Sequence, residues 1–292
     1  MMTKKTSDKN PVVTGWEQPL TDTPGTWDNI TPSVDMPAAT KDPALEFENA
    51  TEEQSWGDSF SELTIEQHSG AFDPDIAKYL IYGESGTGKT RLASTFPNVI
   101  FADVDHGMSS VTEQVDKVYI HDNDHGFKEL EAMHAFLEAG EHSYKTVVID
   151  TLNEMQRVIM RFTIEEFTHV RRSYGNMPGM GDYGKMLYEF IELTRKFCAL
   201  PMRVIFLAQV NTQQFDTDVL MPQLVGKNSA REIMRKMDIA GYVYKSDQED
   251  PQGRKFSEIT FDAVNYVTKD RSYRLPSAML DPTYSRIAAF WK

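Results

Sequence analysis

One eight-residue segment constrains this chain more than any other. Residues 83–90 read Gly-Glu-Ser-Gly-Thr-Gly-Lys-Thr, a full match to the pattern G-x-x-x-x-G-K-[ST]. The segment follows the apolar run KYLIYG and precedes a run that favours a helix. In that context, glycines let successive backbone N–H groups face a phosphate, and the helix start adds partial positive charge. The alternative is a glycine-rich turn with a surface lysine. The predicted phosphate-binding loop, or P-loop, consists of Gly83, Glu84, Ser85, Gly86, Thr87, Gly88, Lys89 and Thr90.

The same segment predicts the cofactors ATP and Mg²⁺. We expect Lys89 to reach the outer phosphates as a catalytic cation and the hydroxyl of Thr90 to ligate Mg²⁺. Such sites also use an acidic residue at the end of a neighbouring strand, and the run VVID ends in Asp150. Asp150 can instead cap the helix that begins at about Leu152. Thr90 and Asp150 are therefore the predicted metal-site residues.

Hydrolysis also requires a carboxylate that orients the attacking water. Asp105 in FADVDHG is the first candidate, because it lies just past the strand that follows the P-loop helix. Glu154, four residues after Asp150, is the second. Either residue can instead be a solvated surface acid.

Composition divides the chain into two parts. Residues 1–75 hold 4 Lys or Arg against 15 Asp or Glu, and residues 1–60 contain six prolines but only eight Leu, Ile, Val or Phe. So little apolar surface cannot offset the entropy of ordering the chain, which predicts a disordered acidic tail over residues 1–75. Residues 76–292 alternate short apolar runs with helical ones, which predicts an α/β domain with a mostly parallel sheet flanked by helices.

Within this domain, two long loops flank one helix and one strand. We predict a helix over 152–170, a glycine-rich loop over 171–185, a helix over 186–200, a strand over 202–210 and a second loop over 211–229. Beyond the second loop, AGYVYKSDQEDPQGRKFSEITFDAV predicts two strands joined by a polar turn.

Composition also excludes some classes of protein. No apolar run approaches the roughly 18 residues of a membrane span, and the start MMTKKTSDKN lacks the apolar core of a signal peptide. We therefore expect a soluble cytoplasmic protein. The single cysteine, Cys198, cannot form an internal disulfide, and no cluster of Cys and His has the spacing of a structural zinc site. The net charge of −14 argues at first against a nucleic-acid partner, but most of it lies in the tail.

Five segments, in this order, resemble the RecA family of recombination ATPases: YLIYGESGTGKTRLA, FADVDHG, VVIDTL, VIFLAQV and VTKDR. The resemblance implies a RecA-like core in which Asp105 stands at the place of the catalytic glutamate, one methylene shorter. It implies that Gln209, which ends VIFLAQ, senses the γ-phosphate. It also implies that Lys269 and Arg271 act as catalytic cations that reach the ATP of a neighbouring protomer.

A more specific resemblance rests on LVGKNSAREIMRKMDIAGYVY followed by TKDR. These segments are similar to phage-encoded RecA-like ATPases of the Sak single-strand annealing type. That resemblance implies single-stranded DNA binding and phage recombination alongside a single-strand-binding protein. It further implies a homo-oligomer, ring or filament, in the cytoplasm of a bacterial host.

The two loops are where RecA-like proteins hold DNA. Their mixture of basic and aromatic groups suits neutralisation of the DNA backbone and stacking on bases. The alternative is that these residues lie on solvated loop and helix faces. Two other functions stay open: a P-loop enzyme acting on a protein partner, as a helicase loader or phage assembly ATPase does, and a nucleotide-gated adaptor with little hydrolysis. The predicted DNA-binding residues are Arg171, Arg172, Tyr174, Lys185, Lys227 and Arg231.

Overall fold

A mostly parallel sheet organises the described part of the chain. The computed structural model describes residues 70–166, 177–210, 219–226 and 228–292. Its strands are β1 (Lys78–Gly83), β2 (Val99–Asp103), β3 (Asp116–Tyr119), β4 (Thr146–Asp150), β5 (Arg203–Gln209), β6 (Ile239–Glu249), β7 (Lys255–Thr260), β8 (Lys269–Asp270) and β9 (Ala278–Leu280). The helices are α1 (Lys89–Ser94), α2 (Gly126–Glu138), α3 (Leu152–Glu166), α4 (Met180–Ala199), α5 (Ser229–Lys236) and α6 (Tyr284–Ala288).

The strand order confirms the predicted α/β fold class. In the described ranges the sheet runs β3-β2-β4-β5-β1-β6-β7-β9, with β8 beside β6. The strands from β3 to β6 in this order pair in parallel, whereas β7, β8 and β9 pair antiparallel. The P-loop strand β1 lies inside the sheet, between β5 and β6.

Helices cover both faces of the sheet, which explains why the central strands are buried and mostly apolar. Every residue of β1 and β4 is buried. On one face, α2, α3, α4 and α5 pack through side chains such as Leu130, Met155, Phe190 and Ile233. On the other face, α1 and α6 form a second core with β1 and β7.

Helix α4 begins six residues earlier than predicted. The segment 180–185, which the sequence predicts as part of the glycine-rich loop, forms the first turns of this helix. A carboxylate oxygen of Asp182 accepts the backbone N–H of Gly179 at 2.8 Å, which satisfies one donor at the helix start. The helix tolerates Gly181 and Gly184 there because its long buried stripe, from Met186 onward, supplies the packing.

Some residues before position 76, which the sequence assigns to the tail, contact the domain. Phe72 packs against Trp291 with ring centroids 5.6 Å apart. The guanidinium of Arg203 donates to the carbonyl of Pro74 at 3.0 Å and forms an ion pair with Asp75. The rest of the predicted tail, 1–69, lies outside the described residues, as does the predicted end of α3 at 167–170. Among the described helices, none has the length and apolar character needed to cross a bilayer.

Candidate nucleotide-binding site

Strand order brings together residues that lie far apart in the sequence. Gly83 at the end of β1 is aligned with Gln209 of β5 and with Val243 of β6. Asp150 at the end of β4 is aligned with Asp103, the last residue of β2. Because these strands are parallel, their carboxyl ends meet at one edge of the sheet, where α/β proteins bind ligands.

Two of the P-loop glycines, Gly83 and Gly88, are required by close contacts with neighbouring strands. A Cβ atom on Gly83 would lie 2.1 Å from the carbonyl oxygen of Val243. A Cβ atom on Gly88, whose φ is +102°, would lie 2.6 Å from Oγ of Ser257. Strands β6 and β7 therefore pack directly on the loop, and only glycine fits at these two positions.

The ammonium of Lys89 points into the P-loop. Its Nζ donates to the carbonyl oxygens of Gly83 at 3.1 Å and Glu84 at 2.8 Å, and the residue is 6% exposed. Burial lowers the pKa of Lys89, and the nearby carboxylates of Asp150 and Asp105 oppose that shift. The loop thus holds a buried cation whose hydrogen-bond partners are neutral carbonyls, a suitable arrangement for receiving a phosphate.

The two predicted metal-site residues are in contact. The hydroxyl of Thr90 donates to Oδ2 of Asp150 at 2.8 Å. Burial raises the pKa of Asp150 to about 6, and the hydrogen bond from Thr90 opposes the shift. A hydroxyl and a carboxylate beside a phosphate loop are hard oxygen ligands of the kind that Mg²⁺ prefers, so these residues fit that ion. When bound, Mg²⁺ neutralises phosphate charge.

The P-loop and Asp150 line a cleft that we call the phosphate cleft. Of the two candidate carboxylates for water activation, Asp105 lines this cleft. Its backbone N–H donates to the carbonyl of Asp150 at 2.8 Å, which fixes it at the same sheet edge. Burial, followed by the charge of Glu154, raises the pKa of Asp105, and Lys89 opposes the shift. Glu154 instead accepts two hydrogen bonds from Arg157, at 3.0 and 3.1 Å. The catalytic role of Asp105 stays a prediction, and its position suits that role.

Gln209 lies where two cavities adjoin. It lines the phosphate cleft of about 390 Å³, which the P-loop, Asp105 and Asp150 also line, and a neighbouring groove of about 640 Å³. Its backbone N–H donates to Oδ1 of Asn153 at 2.9 Å, and its carbonyl accepts the N–H of Gln223 at 2.8 Å. Gln209 is therefore anchored both to α3 and to the segment 219–226, which lies within the second predicted loop.

The side-chain amides of α3 extend this connection. Gln156, only 2% exposed, accepts the backbone N–H of Val225 at 2.8 Å and donates to the carbonyl of the same residue at 3.1 Å. The amide of Asn153 also donates to the carbonyl of Gln223. We call Asn153 and Gln156 the amide clamp. It attaches the segment 219–226 to α3, the helix that follows β4 and Asp150.

Lys269 and Arg271 lie at the opposite edge of the sheet. Lys269 is aligned with Ala240 near the start of β6, five residues before Lys245 in the phosphate cleft, a separation of about 17 Å along a strand. The Lys269 ammonium donates to the carbonyls of Met234 at 3.1 Å and Arg235 at 3.2 Å. Met234 and Arg235 lie in the last turn of α5, so Lys269 caps the carboxyl end of that helix.

The Arg271 guanidinium contacts the same end of α5. It donates to the carbonyl of Arg235 at 3.1 Å and forms an ion pair with Asp238 at 2.9 Å. At this distance from the cleft, neither Lys269 nor Arg271 contacts a nucleotide bound to its own chain. A role for either residue in hydrolysis requires a second copy of the chain.

The structure places two of the six predicted DNA-binding residues. Lys185 lies on α4 and forms an ion pair with Glu166 of α3. Arg231 is exposed on α5. The other four predicted residues lie outside the described ranges: Arg171, Arg172, Tyr174 and Lys227.

The sequence does not predict every residue that lines the cleft. Among those it misses, Lys245 of β6 and Ser257 of β7 enter the cleft from the antiparallel part of the sheet. The signal for Lys245 is its alternation with Val243, which places both side chains on one face of β6. That signal becomes informative only once Val243 is known to be aligned with Gly83, and the sequence does not reveal this register.

The fold and the site define a P-loop nucleoside triphosphatase. The chain belongs to the AAA-domain family, whose model matches residues 76–272. Membership supports ATPase activity at the site described above. A search of curated proteins finds no significant match.

Solved structures include a similar chain, a KaiC-like protein from the hyperthermophilic archaeon Pyrococcus horikoshii OT3. The identity is 11%, the alignment covers 63% of this chain and 77% of that chain, and the TM-score is 0.36. Similarity at this level carries no inference about function.

Proposed function

We propose that this ATPase binds single-stranded DNA and promotes phage DNA recombination or single-strand annealing. It acts as a homo-oligomer, ring or filament, in the cytoplasm of a bacterial host, alongside a single-strand-binding protein. The observation that carries the proposal is the position of Gln209 between the phosphate cleft and the groove. A change at the terminal phosphate can therefore reach a surface outside the nucleotide site.

The groove lies beside both predicted DNA loops. Helices α3 and α4 flank the first loop, and the segment 219–226 is part of the second loop, predicted over 211–229. Residues from α3, from α4 and from this segment line the groove. If Gln209 moves with the nucleotide, the amide clamp can pass that movement to the segment 219–226 of the second loop. Binding of DNA there would then depend on the nucleotide state.

The lining of the groove suits a single strand. It combines the guanidinium of Arg157, which is also bonded to Glu154 of the same groove, with the exposed ring of Tyr183 and the amides of Asn153 and Gln223. A cation can neutralise a phosphate, an aromatic ring can stack on any base, and amides can hydrogen-bond to either. Such a surface favours binding without strong sequence preference. The resemblance to RecA supports the same location.

The experiment that tests the proposal measures ATP turnover of the full chain with and without single-stranded DNA. We expect the DNA to raise turnover several-fold and to bind more tightly with a non-hydrolysable ATP analogue than with ADP. The molecular mass of the protein in solution, measured in each nucleotide state, tests for the oligomer. Lys89→Ala protein, assayed in parallel, detects contaminating ATPases. Turnover indifferent to DNA, together with no measurable DNA binding in any nucleotide state, would refute the proposal.

One observation favours a protein partner instead. Large apolar side chains are exposed near and along α4. Met177 lies just before the helix, and Met180, Tyr183 and Tyr188 lie in its first half. Met180 is 90% exposed, and clustered exposed apolar groups mark protein-binding surfaces. A helicase loader or phage assembly ATPase would use such a surface. Turnover stimulated by a host or phage protein but not by DNA would support this alternative.

A nucleotide-gated adaptor is the third candidate. Asp105 is one methylene shorter than the glutamate of the RecA family, so it reaches less far toward an attacking water. Tight ATP binding with turnover near background would favour this function.

A further inference from the structure

Lys245 occupies a position on β6 that projects beyond the P-loop strand. Val243, two residues earlier, is aligned with Gly83, the last residue of β1. Side chains two apart on a strand point to the same face, so Lys245 shares the face of Val243, which packs with α1. This face is the one on which α1 follows the P-loop. Lys245 accordingly lines the phosphate cleft together with Lys89, Asp105 and Gln209.

Ser257 holds Lys245 at this position. The two residues are directly opposite each other in the β6–β7 ladder, and Nζ of Lys245 donates to Oγ of Ser257 at 3.3 Å. Ser257 is buried against the P-loop, because its Oγ lies only 2.6 Å from where a Cβ of Gly88 would be. The contact to Ser257 therefore ties the ammonium of Lys245 to the backbone of the loop that receives the phosphates.

Lys245 has no ion-pair partner among the described residues, and its hydrogen bond is to the neutral hydroxyl of Ser257. On the same hairpin, the ammonium of Lys255 pairs with Asp247 at 3.3 Å. Lys245 thus adds a cation to a cleft that already contains Lys89 and Arg91, of which Arg91 is paired with Asp281 at 3.3 Å. A polyphosphate is the ligand that compensates the charges of Lys89 and Lys245.

We propose that Lys245 is a second phosphate-binding cation acting in cis: it contacts the terminal phosphate of the ATP bound to its own chain, and Ser257 positions it. The P-loop and Lys89 line the cleft, and Lys245 enters the same cleft from β6. This inference rests on the ATPase assignment and not on DNA binding. It also differs from the role proposed for Lys269 and Arg271, which lie at the other sheet edge.

The test compares the affinity of the full-length protein for ADP with its affinity for a non-hydrolysable ATP analogue, without DNA. We expect Lys245→Ala to weaken binding of the analogue about tenfold and binding of ADP less than about threefold, since a charge-assisted hydrogen bond to the terminal phosphate is lost. Lys245→Arg should recover most of the affinity. Lys255→Ala, which removes a lysine of the same hairpin outside the cleft, is the matched control and should change neither affinity.

The ratio of the two affinities separates contact from mere structure. A folding defect would weaken both nucleotides alike, whereas loss of a terminal-phosphate contact changes the ratio. Equal weakening of ADP and the analogue, or no change in either, would overturn the assignment. Ser257→Ala should shift the ratio in the same direction by a smaller factor, about threefold, because the lysine remains but is held less firmly. An unchanged ratio in Ser257→Ala would refute the positioning role of Ser257.

The measurement is independent of the proposed function. If DNA fails to stimulate turnover while the affinity ratio changes as expected, the recombination proposal falls and the role of Lys245 stands. If DNA stimulates turnover and the ratio does not change, the reverse holds.

Discussion

The two edges of the sheet carry cations in different states. At the carboxyl edge, the ammonium of Lys89 is bonded to loop carbonyls and that of Lys245 to one hydroxyl, all neutral groups. At the amino edge, Lys269 and Arg271 close the end of α5, and Arg271 also pairs with Asp238. A helix end carries partial negative charge, so these cations are already compensated. The presence or absence of an anionic partner, more than the number of cations, therefore distinguishes the two edges as sites for a polyphosphate.

The largest effect should come from Lys89→Ala. Removing the buried cation of the P-loop should lower ATP turnover about 1,000-fold, because preorganised charge on the phosphates is lost. The fold should survive, since Lys89 contributes hydrogen bonds to its own loop and no core packing. Turnover kinetics, with circular dichroism as the fold check and Lys255→Ala as the control, measure this. Wild-type turnover in Lys89→Ala would contradict the role of Lys89 as the phosphate-binding cation of the carboxyl edge.

Asp105→Asn should lower turnover about 100-fold while leaving nucleotide affinity nearly unchanged, because activating a water needs the carboxylate and holding phosphates does not. Glu154→Gln is the matched control, since Glu154 is the other candidate and is paired with Arg157. Single-turnover hydrolysis and nucleotide binding, measured side by side, separate the two steps. If Glu154→Gln proved the more damaging change, the catalytic role would pass from Asp105 to Glu154.

The contiguous parts of the site were predictable from the sequence, and the parts that depend on pairing were not. The P-loop is one segment, and Asp150 ends an apolar run, so local patterns suffice for both. Lys245 and Ser257 enter the cleft only through the register of β6 and β7. The same limit applies to the amide clamp, because its partners in the segment 219–226 lie about 70 residues along the chain.

Exposure explains the misjudged elements of the fold. Strand β3 was not predicted, since three of its four residues are exposed and it carries no apolar run. The start of α4 was hidden by glycines in turns that pack against little. The central strands, buried on both faces, were recognisable because burial demands apolar runs.

Gln156→Leu tests whether the nucleotide site at the carboxyl edge is coupled to the groove. Leucine keeps similar bulk in the buried site but loses both hydrogen bonds to Val225. We expect the ratio of DNA-stimulated to basal turnover to fall about fivefold, the size of a moderate coupling energy. A general loss of stability would lower both rates and leave the ratio unchanged. Phe136→Leu, on the exposed surface of α2, serves as a control for hydrophobic substitution.

The smallest effect on nucleotide binding should come from replacing both Lys269 and Arg271 with alanine. Affinity for ATP in isolated protomers should stay within about twofold, because both side chains lie about 17 Å along β6 from the cleft. The free energy of unfolding should fall by about 1 kcal/mol, since the end of α5 loses its cations. Calorimetric binding and denaturant melts measure the two quantities.

Mixing experiments then decide whether the amino edge acts on a neighbour. If Lys269 and Arg271 complete the site of an adjacent protomer, protein carrying both alanines should recover turnover when mixed with Lys89→Ala protein, because each copy supplies what the other lacks. Lys245→Ala mixed with Lys89→Ala is the contrasting pair. Both of those residues belong to one cleft, so the expected recovery there is much smaller. Equal recovery in the two mixtures, or none in the first, would mean that the amino-edge cations serve only to close α5.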